Sequence, residues 1–148
     1  ATAAAAGAGA PVNGTAARSG PALTQRVLSA NAGLSCAEKA FNAEQHKAKG
    51  NECFRAKEFA AAVEHYTVAV GLVPSSASLR ANRAAAYLKL RMWAEAADDC
   101  DAALAADSAH VKARTRRAAA RLELGDARGA MADIDAALAA QPGSRELA

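Results

Sequence analysis

"FAAAVEHYTVAVGLVP" at residues 59–74, "WAEAADDCDAALAADS" at 93–108 and "ARGAMADIDAALAAQP" at 127–142 are three settings of one pattern. Ala62, Ala96 and Ala130 stand 34 residues apart, and Ala69, Ala103 and Ala137 keep the same interval. Phe59 falls in register with Trp93, more weakly with Ala127. Tyr66 aligns with Cys100 and Ile134, Val70 with Leu104 and Leu138, and Pro74 with Ser108 and Pro142. A unit repeated at a fixed interval cannot bury its apolar face alone, so its copies stack on one another.

The register extends upstream of each quoted segment. Gly50 aligns with Ala84 and Ala118, all small. Each unit therefore reads as two helices of about fourteen residues joined by a tight turn. The expected spans are 43–56 and 59–72, 77–90 and 93–106, 111–124 and 127–140, with turns at "AKEF", "LRMW" and "LGDA". Small residues at fixed places let paired helices approach closely. Glycine in a helix costs about 1 kcal/mol relative to alanine, so Gly50 is read as a packing glycine. Pro74 and Pro142 end second helices, because proline cannot continue one.

A period of 34 with two helices per unit points to a tetratricopeptide-repeat (TPR) array. The expected fold class is all-α: a right-handed superhelix of three helix–turn–helix repeats at 43–76, 77–110 and 111–144. The last four residues, "RELA", read as the start of a truncated capping helix within a repeat domain spanning 41–148. Because the sequence opens on alanine rather than methionine, it is read as a fragment or processed form.

Residues 1–40 differ from the rest. They contain no acid before Glu38, few large apolar residues, and scattered Gly and Pro. Such a stretch buries too little surface to offset its chain entropy, so a disordered, Ala-rich arm is expected. "LTQRVLSA" is given a short amphipathic turn or two, no more. Arg18, Arg26, the Ser/Thr content and the missing acids are also features of a transit peptide.

Composition narrows the function classes. The chain of 148 residues is about one-third alanine, with 4% aromatics and a net charge of +3. It builds close-packed helices and no large aromatic core. That charge is too small to imply nucleic acid or membrane, and no apolar run reaches the roughly 18 residues of a spanning helix. Cys36, Cys53 and Cys100 form neither a disulfide framework nor a metal signature, so a reducing, cytoplasmic setting is expected. His46, His65 and His110 are too dispersed for a metal or a nucleophile–base pair. Asp98, Asp99 and Asp101 in "DDCDAALAAD" read as a solvated convex face, as do Asp133 and Asp135. Cys53 and Cys100 fall in core registers, and Trp93 is core. "AGAGAP" lacks the strand and helix that a phosphate loop requires. No cofactor and no enzymatic activity are expected.

In a stack of hairpins the first helices line a concave groove. Lys47 and Asn51 in "KAKGN", Asn82 in "LRANRAAAY", and Lys112 and Arg116 in "HVKARTRRAAAR" are first-helix residues that packing leaves unexplained. Residues four apart on a helix share a face. Three cations and two amides across three helices suit carboxylates, since every one of these side chains can donate. Two carboxylates lie together at a chain's C-terminus when the last residue is Asp or Glu. Arg121 stands where Tyr87 and Cys53 stand in the other repeats; its stem is expected to cover the core while its head reaches solvent. A degenerate last repeat is the alternative.

"KAKGN", "ANRAAAY" and "VKARTRR" resemble the signature stretches of the carboxylate-clamp TPR domains of chaperone adaptors. The likeness covers residues 43–144 and keeps all five clamp positions: Lys47, Asn51, Asn82, Lys112 and Arg116. It implies binding of the C-terminal Glu-Glu-Val-Asp tail of 70-kDa or 90-kDa heat-shock chaperones by a monomer. By this resemblance Lys47, Asn51 and Asn82 hold the terminal carboxylate, Lys112 holds the aspartate side chain, and Arg116 braces the peptide backbone. Ala85, Leu88 and Lys89 would touch the preceding ligand residues. Two alternatives stay open: a docking domain of a prolyl isomerase or phosphatase, and an organelle-import receptor or scaffold.

Overall fold

The structure, a computed structural model, describes residues 21–140. Seven helices and no strand occur among the described residues: α1 (Pro21–Ala30), α2 (Cys36–Arg55), α3 (Phe59–Leu72), α4 (Ala77–Lys89), α5 (Trp93–Ala106), α6 (Val111–Glu123) and α7 (Ala127–Ala140). Helices α2/α3, α4/α5 and α6/α7 form antiparallel hairpins. Successive hairpins stack through α3 on α4 and α5 on α6, and the first helices α4 and α6 also touch. The expected spans from 59 to 140 hold to within one residue at every end. The capping-helix expectation at "RELA" and the arm over residues 1–20 lie outside the described residues.

One geometry closes all three hairpins. Lys57 (φ 65°), Arg91 (φ 61°) and Gly125 (φ 88°) are left-handed, spaced 34 apart. In each turn the following amide reaches back five residues: Glu58 to Cys53 (2.8 Å), Met92 to Tyr87 (2.9 Å) and Asp126 to Arg121 (2.7 Å). These bonds satisfy carbonyls at the helix end in a Schellman arrangement. Only the third repeat places glycine at the position that favours it.

The N-terminal region corrects the expectation of disorder up to residue 40. Helix α2 begins at Cys36 rather than near 43, because Ser35 and Glu38 form a capping box. The Glu38 amide donates to Ser35 Oγ (3.2 Å), and the Ser35 amide donates to Glu38 Oε2 (3.1 Å). "SCAE" carries the S-x-x-E signature of such a start. The Ser35 backbone and side-chain bonds hold the Glu38 carboxyl below its usual pKa. Helix α1 is ten residues long and docks on α3. Val27 and Leu28 pack on a cluster of Ala43, Val68, Ala69, Val70, Leu72 and Leu79. Gly71 admits Leu28, whose Cδ1 would lie 2.6 Å from an added Cβ. Asn42 Nδ2 then donates to Asn31 Oδ1 (2.6 Å), tying the end of α1 to α2.

The core is made of small side chains. Ala62, Ala69, Ala96, Ala103 and Ala130 are fully buried, as the register predicts, and among the described residues Cys100 is the largest side chain sealed completely. Burial pushes the Cys100 thiol up to about 12 despite the nearby Arg116 cation. It is an inert packing group.

The aspartates divide, which corrects the reading of Asp99 and Asp133 as solvated. Asp98, Asp101 and Asp135 are exposed, whereas Asp99 and Asp133 are 4% and 2% exposed. Arg83 grips Asp99 with two bonds of 2.7 Å and also donates to Thr67 Oγ1 (3.2 Å). One repeat later Arg117 grips Asp133 at 2.9 and 2.6 Å and donates to Asp101 (2.8 Å). Each arginine thus bonds across its own hairpin and back to the second helix of the preceding repeat. Bidentate pairs of this kind are the strong class of charged hydrogen bond. Burial opposes the Arg83 charge, but the bonds and charge of Asp99 outweigh it and leave its pKa above normal. Asp133 does the same for Arg117. The Arg121 head turns inward instead of reaching solvent: Nη1 donates to Asp133 Oδ2 at 2.9 Å.

In the first repeat the register position of Asp99 and Asp133 is His65. Its Nδ1 lies 3.4 Å from Nδ1 of His46, so two histidines that looked dispersed are partners. Such a contact needs one protonated and one bare nitrogen. Burial lowers both pKa values below the ordinary 6.5; the His65 and Lys49 charges add to this for His46, and Lys49 for His65, where Glu64 opposes. As pH falls below about 6.5 the unfolded chain binds the extra protons more readily, so stability present above that pH is lost through the folded pKa values. Thermal melts should therefore show Tm falling between pH 7.5 and 5.5, with the fall reduced in a His46→Gln/His65→Gln variant. An unchanged slope in that variant would contradict the assignment.

Candidate functional site

Helices α2, α4 and α6 each contribute to one cavity of about 160 Å³ lined by Asn51, Phe54, Tyr66, Asn82, Ala85 and Arg116. Three of the five expected clamp residues, one from each first helix, therefore meet at one place. Lys47 and Lys112 do not line it. Lys47 is half-buried one turn before Asn51 and pairs with the exposed Glu44 at 3.0 Å. An exposed pair three residues apart contributes only tenths of a kcal/mol, so Lys47 is readily released to another anion. Lys112 is exposed, one turn before Arg116 on α6.

The further expected contacts separate. Ala85 lines the cavity. Leu88 packs against a buried cluster of Ala84, Ala96, Cys100 and Ala120, so its side chain serves the core. Lys89 is exposed in the last turn of α4.

Arg116 is unlike the other inward arginines. Arg83, Arg117 and Arg121 each meet an aspartate. Arg116 Nη1 donates to the Ala81 carbonyl at 2.8 Å, and among the described residues no carboxylate lies within ion-pair distance of it. Burial lowers its pKa below the usual arginine value, while the Cys100 and Tyr66 groups act weakly the other way. A guanidinium nevertheless stays protonated. The result is a half-buried cation, without a carboxylate counter-ion among the described residues, at a cavity edged by two amides. Burying a charge is costly unless it is paired, so this position suits an anion.

Asn51 is held by its neighbour. The Tyr66 hydroxyl donates to Asn51 Oδ1 at 2.6 Å. Burial raises the Tyr66 pKa, so the hydroxyl keeps its proton. Tyr66 shares the core register of Cys100, yet it and Phe54 line the cavity. A signal for Tyr66 was present, since its counterparts Cys100 and Ile134 carry no hydroxyl.

A larger cavity, about 390 Å³, lies at Leu34, Ala37, Glu38, Phe41 and Asn42. Its charged group is an acid and it has no cation, so it does not suit carboxylates. Among the described residues no three His, Cys, Asp or Glu side chains are grouped to hold a metal. No described helix is long and apolar enough to cross a membrane.

Stacked hairpins with a 34-residue period, each closed by a left-handed residue, define a tetratricopeptide-repeat domain. No protein-family model matches the chain, but solved structures do. The TPR domain of Arabidopsis OM64 matches with a TM-score of 0.72 and 36% identity, over 74% of this chain and 90% of that one. The first TPR of Spaghetti (RPAP3), solved with the HSP90 peptide SRMEEVD, matches with a TM-score of 0.72 and 33% identity, over 73% and 86%. Among curated proteins, mouse sperm-associated antigen 1 is 41% identical over 81 residues, which is 55% of this chain and 9% of that protein. Soybean Hsp70-Hsp90 organizing protein 1 is 51% identical over 57 residues, 38% of this chain and 10% of that protein. The chain belongs to the TPR domains of this co-chaperone type. It spans about a tenth of the length of those two curated relatives.

The contrast among the arginines yields a stability prediction. Arg83→Met strands the buried Asp99 carboxylate and should cost about 3–5 kcal/mol in urea denaturation. Arg116→Met removes a cation that has no acid partner and should change stability by no more than about 1 kcal/mol. Equal losses would show that Arg116 is paired in the fold after all.

Proposed function

We propose that this domain is a non-catalytic adaptor module that binds the C-terminal Glu-Glu-Val-Asp tail of 70-kDa or 90-kDa heat-shock chaperones in the cytoplasm. The observation that carries the reading is the unpaired Arg116 guanidinium facing a cavity with Asn51 and Asn82. Its chemistry fits the terminus of a peptide: a main-chain carboxylate, with a second carboxylate on the last side chain. Asn51 and Asn82 donate to the terminal carboxylate with Lys47 beside them. Lys112, exposed one turn from Arg116, takes the aspartate side chain, and Arg116 braces the peptide while balancing its charge. Support comes from neighbours solved with such ligands. The first and second TPR domains of Spaghetti (RPAP3) are each solved with the HSP90 peptide SRMEEVD, and the second TPR domain of human RPAP3 with the HSP70 peptide SGPTIEEVD.

A second reading places the same clamp on a receptor at an organelle surface. It is favoured by the likeness to pea translocon at the outer membrane of chloroplasts 64, 37% identical over 78 residues, 53% of this chain and 13% of that protein. The two readings share the ligand and differ in what the domain is attached to.

Calorimetric titration with a peptide ending Glu-Glu-Val-Asp, beside the same peptide amidated at its C-terminus, tests the proposal. Losing one charge-assisted bond of about 1.5–3 kcal/mol should weaken binding on the order of 10- to 100-fold. Lys112→Ala and Arg116→Ala should each weaken the free-acid complex with helicity retained, and added salt should weaken it further. Equal affinity for both peptides would sink the clamp.

A further inference from the structure

We infer that Tyr66 is a positioning residue for the site, fixing which end of the Asn51 side chain faces the ligand, and that Gly50 exists to admit it. The inference rests on the carboxylate-clamp reading above. An asparagine amide carries an acceptor oxygen and a donor nitrogen that exchange places by a half-turn. Only the nitrogen helps an anion; the oxygen repels it. The hydroxyl of Tyr66 donates to Asn51 Oδ1 at 2.6 Å. That bond turns the oxygen toward α3 and leaves Nδ2 free to donate into the cavity that both residues line. The reversed amide would leave the buried hydroxyl proton without this acceptor. Tyr66 is 2% exposed, and a buried hydroxyl without a partner is costly.

The ring reaches this position only past Gly50. A Cβ on Gly50 would stand 2.6 Å from Tyr66 Cε1 and 2.7 Å from Cδ1, closer than side chains tolerate. The repeat supplies an internal control. Gly50, Asn51 and Tyr66 in the first unit correspond to Ala84, Ala85 and Cys100 in the second, and to Ala118, Ala119 and Ile134 in the third. Where the asparagine is absent, the tyrosine and the glycine are absent with it. Packing alone explains a small residue at position 50, since alanine serves in the other two units. Packing of the ring past Gly50 accounts for the missing methyl group, but not for a hydroxyl in the one repeat where an amide follows the small residue.

Tyr66→Phe keeps the ring and removes the bond. It should weaken binding of the free-acid Glu-Glu-Val-Asp peptide by about 3- to 10-fold, the scale of one hydrogen bond. In an Asn51→Ala background the same substitution should change affinity less than about 2-fold, because there is no amide left to orient. An equal loss in both backgrounds, or no loss in the native one, would overturn the inference. A second readout needs no ligand: ¹⁵N relaxation of the Asn51 side-chain amide. It should be ordered in the native domain and mobile in Tyr66→Phe. An equally rigid amide in the variant would also overturn the inference. Failure of the native domain to bind the peptide would refute the clamp reading, and the relaxation measurement would still decide the role of Tyr66.

Discussion

Burial of arginine between closely spaced helices is the constraint on which the arrangement of this domain depends. Helices whose facing residues are alanine approach closely and fill space at their contact line, but alanine cannot fill the wider gaps between hairpins. Long guanidinium side chains cross those gaps. Their charges then dictate what must face them: Asp99 for Arg83, Asp133 for Arg117 and Arg121. Each pair joins the helices of one hairpin, and the bonds to Thr67 and Asp101 pass the constraint to the hairpin before. Buried pairs are weak evidence for net stability, but breaking one is expensive, so they hold the repeats in register.

Arg116 occupies the same kind of gap without an acid opposite. The fold tolerates this because the guanidinium still bonds the Ala81 carbonyl and borders an open cavity. On the proposed reading the site is built by omission: the scaffold provides the cation, and the ligand provides the anion that the other arginines find within the chain. The amides of Asn51 and Asn82 add donors without adding repulsion, which lets two half-buried groups share the site with Arg116. Tyr66 and Gly50 belong to this arrangement as well as to the core, which is why one repeat departs from the alanine pattern of the others.

Much of this was legible from the residues. The 34-residue register located the six repeat helices and the small-residue contacts, because each unit meets the same packing problem. It also placed Asn51, Asn82 and Arg116 on the faces that converge. The ion pairs were missed although Arg83 and Arg117, like Asp99 and Asp133, repeat the period; a charged residue on a helix is ordinarily solvated, and only the hairpin's geometry shows that sixteen residues of separation bring the two together. His46 and His65 escaped notice for the same reason. Helix α1 is faint in the sequence because half-buried Val27 and Leu28 give little periodic signal, and its stability comes from docking on α3. The early start of α2 was written in "SCAE", but the low complexity around it masked the cap.

The identity of the counter-ion missing from Arg116, a ligand carboxylate on the proposed reading, decides the role of the site. Heteronuclear NMR of the arginine Nε–Hε and asparagine side-chain signals, followed through a titration with a peptide ending Glu-Glu-Val-Asp, reads this directly. Arg116, Asn51 and Asn82 should shift together and saturate at one concentration, while Arg83 and Arg117, already paired, stay in place. Shifts centred instead on the cavity at Leu34, Phe41 and Asn42, with Arg116 unmoved, would contradict the account.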